Sequence, residues 1–296
     1  MMLRFATYLA PILYDTYQSI ARYIGEQVGA ATTLVVGQSL HDFAVGKVDV
    51  GFTCGLPYAL MVATYAKRDA PACPIELLAA PVLLGERYRG RPIYFSDVVV
   101  RSDSPYASFD DLQGCRWAYN QPESHSGWNL VCYNLLKRGK TPAFFGQLIQ
   151  SGSHQRSLEM VLAGEANAAA IDSHVLDVFL ARDKEAAASL RVIDMFGPSS
   201  IPPIVVAIAL DLALKRRVQD ALLAMHEDPC AAGVLHEGAI ARFARVRDGE
   251  YDDLREMHRV AKGNVGAQFI APSSQADARH GGRNELRPYI SPFNQV

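Results

Sequence analysis

Short apolar runs alternate with segments whose apolar residues recur at every third or fourth position, and this alternation holds from the first residues to about residue 210. A run that is apolar throughout suits a strand covered on both faces, and the three-to-four spacing suits a helix lying against it. A chain that alternates the two points to an α/β layered fold. The pattern predicts strands over 3–9, 32–36, 48–52, 75–84, 94–101, 115–119, 147–151, 168–172, 190–195 and 204–210. Helical faces lie between them. Ile12, Tyr17, Ile20, Ile24 and Val28 form one, stopped by Gly29, and Leu130, Val131, Tyr133, Leu135 and Leu136 form another. The run 94–101 is long enough to cross between lobes, and the proline-rich stretch 198–203 reads as a rigid connector. Beyond Asp211 the spacing is mostly helical, over 212–225, 231–235 and 251–260. From Ala271 to Val296 the chain is polar and reads as a loosely packed or disordered tail.

A chain of 296 residues can bury one large core or two medium ones, and the length favours two lobes. With 49% hydrophobic and 20% charged residues it is globular. A formal net charge of −2 gives no electrostatic case for nucleic acid; the basic cluster Lys215-Arg216-Arg217 reads as a solvated helix face. No apolar run is long enough to span a bilayer. Residues 1–9 read as a first strand with no signal-peptide pattern ahead of it. Either the chain is made without one, which would make it cytoplasmic, or one was removed. The five cysteines are scattered, with no C-x-x-C pair, so neither a disulfide framework nor a zinc or redox motif is expected. Their usage leans towards a reducing compartment. Cys115 and Cys132 read as small apolar core residues. No metal and no cofactor is expected.

Three strand-to-helix turns carry polar residues that folding alone does not demand: Ser124-His125-Ser126, Ser151-Gly152-Ser153-His154 and Asp172-Ser173-His174. A helix start leaves backbone N–H groups unpaired at the positive end of its dipole. Ser124 and Ser126 can cap that start, or can offer their hydroxyls beside the amides to an anion. Gly127 lets the backbone come close to whatever sits there. In open α/β sheets such turns converge at the carboxyl ends of strands, where ligands bind.

Taken in order, Tyr94-x-Ser96, Ser108-x-x-Asp111-Leu112-x-Gly114, Pro122-x-Ser124-x-Ser126-Gly127, Gly152-Ser153-His154 and Gly164-x-x-x-Ala168-Ala169-Ala170-x-Asp172 resemble one family. They are similar to the substrate-binding proteins of phosphonate, phosphite and phosphate ABC transporters, over roughly residues 3–265. The resemblance implies a type 2 periplasmic-binding-protein architecture: lobe one from 1–95 with 206–270, lobe two from 96–205, two crossovers, and a small anion closed between them. It implies a periplasmic location if a signal peptide was removed, and an ABC transporter permease as partner. It assigns anion binding to Ser124, Ser126 and the Gly127 amide, and ligand contacts to Tyr94, His154 and Asp172. Where family members usually carry Thr between the serines this chain has His125, which reads either as a group contacting a larger anion or as an exposed loop residue. The first-lobe turn, often acidic and aromatic in the family, is Gly37-Gln38-Ser39.

Tyr8 and Tyr58 sit at a strand end and a helix start, where they either line the cleft or pack with a wet hydroxyl. Trp128 is read as a half-buried helix-face residue before a pocket wall, and His41 and His174 as surface or structural residues. Asp110 and Asp111 read as first-turn acids. The leading reading is a solute-binding protein that captures a small oxyanion for transport or sensing. The alternative is an enzyme on the same fold, with His125 or His154 as general base and Asp172 orienting it; no G-x-S-x-G, P-loop or metal-ligand cluster supports it.

Overall fold

The structure, a computed structural model, describes residues 1–66 and 72–265, so the polar tail expected over 271–296 lies outside the described residues. Strands β1 (Met2–Thr7), β2 (Ala31–Val36), β3 (Val50–Phe52) and β4 (Ile75–Leu83) begin a first sheet. Strands β5 (Ile93–Arg101), β6 (Arg116–Tyr119), β7 (Gln147–Gln150), β8 (Ala168–Asp172) and β9 (Leu190–Ser200) build a second. Strands β10 (Ile204–Ala207) and β11 (Ile240–Ala244) return to the first. The orders are β11-β4-β10-β3-β1-β2 and β7-β6-β8-β5-β9. Each sheet with its helices is one layer of an α/β lobe, as the alternation predicts. The chain passes between the sheets at 84–92 and again at 201–203.

Helices α1 (Tyr14–Val28), α2 (His41–Ala44) and α3 (Gly55–Ala66) belong to the first lobe; α4 (Leu130–Lys137), α5 (His154–Leu162), α6 (Ser173–Arg182) and α7 (Lys184–Ser189) to the second. The chain then closes with α8 (Leu212–Ala224), α9 (Pro229–Glu237) and α10 (Asp252–Val265). The apolar stripe of α1 buries Tyr17, Ile20, Ala21, Ile24 and Val28, and the helix stops at Gly29, whose φ of 65° an L side chain rarely adopts.

Four assignments from the sequence need correction. The run 94–101 does not cross between lobes. It is β5, buried at every position but its last and paired with β8 and β9, and the crossing is made just before it. The first half of the proline-rich connector, up to Ser200, is the end of β9, and only 201–203 is free of strand pairing. The mostly helical region after Asp211 hides β11, which pairs antiparallel with the long strand β4. Its five residues, Ile-Ala-Arg-Phe-Ala, carry too little alternation to stand out, and the partner strand decides their conformation. Lys215 is also no solvated residue: it is buried, donating to the Ile208 carbonyl at 2.8 Å and pairing with Glu76 at 2.8 Å.

Segment 84–92 is tied to the second lobe by charge. The Arg87 guanidinium meets Asp97 of β5 at 2.9 Å and Asp177 of α6 at 3.0 Å, and Tyr88 donates to Asp177 at 2.5 Å. Two hydrogen bonds run back to the first lobe. His174 Nε2 donates to the Gly238 carbonyl at 2.6 Å, and Arg182 donates to the Ile12 carbonyl at 2.8 Å. Helix α10 straps both lobes: Leu254 is buried with first-lobe residues, Met257 packs on the second-lobe core, and Asp253 accepts from the Ser200 amide at 3.0 Å.

The second-lobe core centres on Trp117, fully buried, stacked on Phe145 at 4.4 Å and edge-on to Phe109 at 6.1 Å. Its indole N–H is buried without a hydrogen-bond partner. Trp117→Ala should therefore cost about 3–5 kcal/mol of stability in urea unfolding. Trp117→Phe, which removes the unpaired donor and keeps most of the packing, should cost less than about 1.5 kcal/mol.

Candidate functional site

In the first sheet β2, β1 and β3 run parallel, and in the second β7, β6 and β8 do the same. Parallel neighbours end at one edge, so each sheet sends three strand-to-helix turns to the same side. All six ends open on one cavity of about 260 Å³: Tyr8, Gly37 and Thr53 follow the first trio, and Asn120 and Gly152 follow β6 and β7, with Asp172 closing β8.

The turn after β6 is shaped by Ser124. Its backbone is extended, and its Oγ accepts from the Gly127 amide at 3.1 Å. The chain then takes a wide π-type turn over His125–Asn129, with the Asn129 amide donating to the Ser124 carbonyl at 2.9 Å, before α4 begins. Such turns are frequent at functional sites. Ser124 and Ser126 line the cavity, Ser126 with its Oγ 3.1 Å from His154 Nε2. Capping uses a lone pair of Ser124 and leaves its O–H available. Gly127 behaves differently from expectation. Its amide is consumed by that cap, and the group that comes close to it is Asn120: a Cβ at Gly127 would lie 1.9 Å from Asn120 Oδ1. Asn120 lines the cavity, and its Oδ1 is buried without a partner.

The turn after β7 repeats the design. Ser153 accepts from the Arg156 amide at 3.1 Å and opens α5 with His154 as its first residue. Burial pushes the His154 imidazole down to about 4, the Ala170 carbonyl offsetting part of the effect, while Nδ1 makes no well-formed hydrogen bond. Asp172 ends β8 and caps α6, its Oδ1 accepting from the His174 amide at 2.8 Å and the Val175 amide at 3.4 Å. Its carboxyl lines the cavity yet is enclosed by protein. Burial pushes it up to about 7, the two capping amides pulling back and Asp97 and Asp177 adding to the rise.

Of the nine residues singled out from the sequence, Tyr8, Ser124, Ser126, His154 and Asp172 line this cavity. Tyr94 stands behind it, buried on β5, with its ring 6.3 Å from that of His125 and its phenol against Ser126. His125 is neither an exposed loop residue nor a cavity group. It is fully buried, its Nδ1 accepting from Asn129 Nδ2 at 3.1 Å and its Nε2 3.1 Å from Ser199 Oγ. Burial and the nearby His258 push it down to about 3. Tyr58 also points elsewhere, donating to Asp248 at 2.8 Å and meeting Tyr251 edge-on at 5.1 Å. His174 is structural, and Trp128 packs on Tyr119 at 4.6 Å.

On the first-lobe face the sequence marks Tyr8 but not the turn after β3. Thr53 and Cys54 join β3 to α3 and line the cavity, and the Cys54 thiol sits among the amides of Gly55 and Leu56 and that of His125 in the opposite lobe. The signal was a strand running straight into a helix start, with no charged residue to mark it. Among the described residues that line the cavity none is Lys or Arg, and no cluster could hold a metal ion. No described helix is long and apolar enough to cross a membrane.

Two α/β lobes with six strand ends opening on a shared cavity define a bilobal ligand-binding protein. The chain belongs to the family described as ABC transporter, phosphonate, periplasmic substrate-binding protein, which it matches over residues 5–251. Among solved structures it is similar to a binding-protein component of an ABC phosphonate transporter from Pseudomonas aeruginosa, with a TM-score of 0.76 and 16% identity over 91% of this chain and 89% of that one. A Prochlorococcus marinus protein in complex with methylphosphonate gives a TM-score of 0.74 and 15% identity, over 88% of this chain and 97% of that one. The periplasmic aliphatic sulphonate binding protein of Escherichia coli gives 0.57 and 15%, over 96% and 98%. The expected type 2 periplasmic-binding-protein architecture and solute-binding class, for phosphonate or similar anions, are borne out.

The buried acid and imidazoles pull pH dependence in opposite senses. Asp172, raised in the folded state, holds a proton the unfolded chain has lost, so its contribution is present at low pH and is lost as pH rises towards about 7. His154, lowered to about 4, contributes stability that is present above its ordinary value and lost as pH falls towards 4. Asp172→Asn, which keeps a capping oxygen, isolates the first effect. Thermal melts from pH 5 to 8 should show the wild type losing stability relative to the variant up to about pH 7, with a flat difference above.

Proposed function

We propose that the chain captures a phosphonate or related small oxyanion between its lobes, with Ser124, Ser126, Ser153, His154 and the first-lobe turn at Thr53 and Cys54 forming the seat and Asp172 facing the ligand's remaining part. The lobes are then 1–83 with 204–265, and 93–200, joined by 84–92 and 201–203. The observation that carries this reading is the meeting of the three capped turns of the second lobe in one cavity, with hydroxyls that keep a hydrogen to donate. Hydrogen bonds from neutral donors to a charged oxygen contribute about 1.5–3 kcal/mol each, so several replace a lysine. In the tautomer that donates from His154 Nε2, Ser126 receives that bond and directs its own hydrogen at the ligand. Tyr94 and His125 act as supports behind the seat. Membership of the family supports a periplasmic location and delivery to an ABC transporter permease.

Ser126 and His154 resemble a nucleophile and its base, but the pair lacks the carboxylate that would orient the ring. Asp172 Oδ1 accepts from the α6 amides, and the His154 ring has the Ala170 carbonyl, not a carboxylate, beside it. This supports binding without chemistry. Methylphosphonate should raise the melting temperature as RT ln(1 + [L]/Kd) and be recovered unchanged by phosphorus NMR. Ser126→Ala should weaken that binding by about 1–3 kcal/mol in calorimetry at a temperature where circular dichroism shows the variant folded; unchanged affinity removes Ser126 from the seat.

A further inference from the structure

Five side chains form a ring of hydrogen bonds behind the serine turn, and none of them is among the described residues that line the cavity. The ring starts on α10, where His258 Nδ1 lies 3.2 Å from Asn129 Oδ1. Asn129 Nδ2 lies 3.1 Å from His125 Nδ1, and His125 Nε2 lies 3.1 Å from Ser199 Oγ. Ser199 Oγ then donates to Met257 Sδ at 3.9 Å, one residue from the starting point. The ring thus leaves α10, passes through the turn after β6 and the end of β9, and returns to α10.

His125, Asn129 and Ser199 are 0%, 4% and 1% exposed, so a broken link strands a polar atom away from water. The Asn129 amide also fixes the hydrogens. One end of it accepts and the other donates, so the two imidazoles on either side must differ. With Nδ2 towards His125, that ring accepts at Nδ1 and carries its hydrogen on Nε2, while His258 carries its hydrogen on Nδ1. Turning the amide over would exchange both tautomers together. The two histidines are coupled through one side chain.

His125 sits where three parts of the molecule meet. Its backbone amide faces the Cys54 thiol of the first lobe. Its chain neighbours, Ser124 and Ser126, line the cavity. Its ring reaches Ser199, and the next residue, Ser200, binds Asp253 of α10 through its amide at 3.0 Å and its hydroxyl at 3.2 Å, just ahead of the crossover 201–203.

Resting on the oxyanion reading above, we infer that His125 is a positioning residue for anion capture: through Asn129 and Ser199 it fixes the serine turn against α10, so that the Ser124 and Ser126 hydroxyls hold their binding geometry only while His258 keeps its place. His258 and Asn129 then govern affinity without touching the ligand.

Calorimetry on the full chain tests this, with methylphosphonate as probe, or inorganic phosphate if the wild type takes that instead. His258→Leu cuts the ring at its half-buried end and should weaken the probe about three- to tenfold at a temperature where the variant is folded. His258→Asn, which keeps a donor at the Nδ1 position, should hold wild-type affinity. Arg259→Ala, one residue along, removes an exposed guanidinium paired with Glu256 of the same helix at 2.7 Å and should change nothing. Nitrogen NMR of the imidazoles in the ligand-free protein gives a second readout. The wild-type His125 hydrogen should sit on Nε2, and in His258→Leu it should spread over both ring nitrogens, because the Asn129 amide is no longer held one way round. A merely structural His258 would lower the melting temperature and leave that signature alone. Unchanged affinity in His258→Leu, equal losses in the Leu and Asn variants, or a His125 ring that keeps its single tautomer in the Leu variant would each overturn the inference and leave the oxyanion reading standing. If the wild type binds neither probe, that reading falls, and this one with it.

Discussion

Every helix start leaves backbone amides to be satisfied, and at six of its turns this chain answers with a Ser or Asp side chain placed one step ahead. Ser124, Ser153 and Asp172 each accept from an amide two or three residues on, at 3.1, 3.1 and 2.8 Å. Asp183, Asp211 and Asp228 do the same far from the cavity. Such caps are worth about 1 kcal/mol each. The candidate site is therefore built from groups that folding needs in any case. What separates Ser124, Ser153 and Asp172 from the others is that their helices follow three adjacent parallel strands, which brings their caps to one edge.

That dual use explains how far the sequence could be read. The alternation of apolar runs and helical faces gave the layered fold, and the second-lobe turns were visible because hydroxyls and a carboxylate stand where a helix begins. Tyr58 and His125 failed for a common reason. Both lie beside the right turns, but what decides a side chain's direction there is a partner distant in sequence: Asp248 for Tyr58, Ser199 for His125. The first-lobe contributors Thr53 and Cys54 were passed over because their polar function is carried largely by main-chain amides, which leave no mark on residue type. Strand β11 was invisible because β4, more than a hundred residues earlier, dictates it.

Buried ionisable groups add a second layer. His125 and His154 are held neutral by burial, and Asp172 is held towards its protonated form. A cavity walled by the His154 imidazole, hydroxyls, the Asp172 carboxyl close to its titration point and Glu123, with no Lys or Arg among the described lining residues, offers no fixed positive charge of its own. Preorganised dipoles then do what a lysine would do elsewhere, without the penalty of desolvating a lysine in an empty site.

Helix α10 gives the joint between lobes an axis. Its root is fixed beside 201–203 by the Asp253–Ser200 bond, while His258, further along the helix, rests on Asn129 of the second lobe at 3.2 Å. The helix is pinned at one end and rests on the second lobe at the other. Because Asn129 also holds His125 beneath the serine turn, α10 and the candidate site share a single chain of contacts, Asp253 to Ser200 at one end and His258 to Asn129 to His125 at the other.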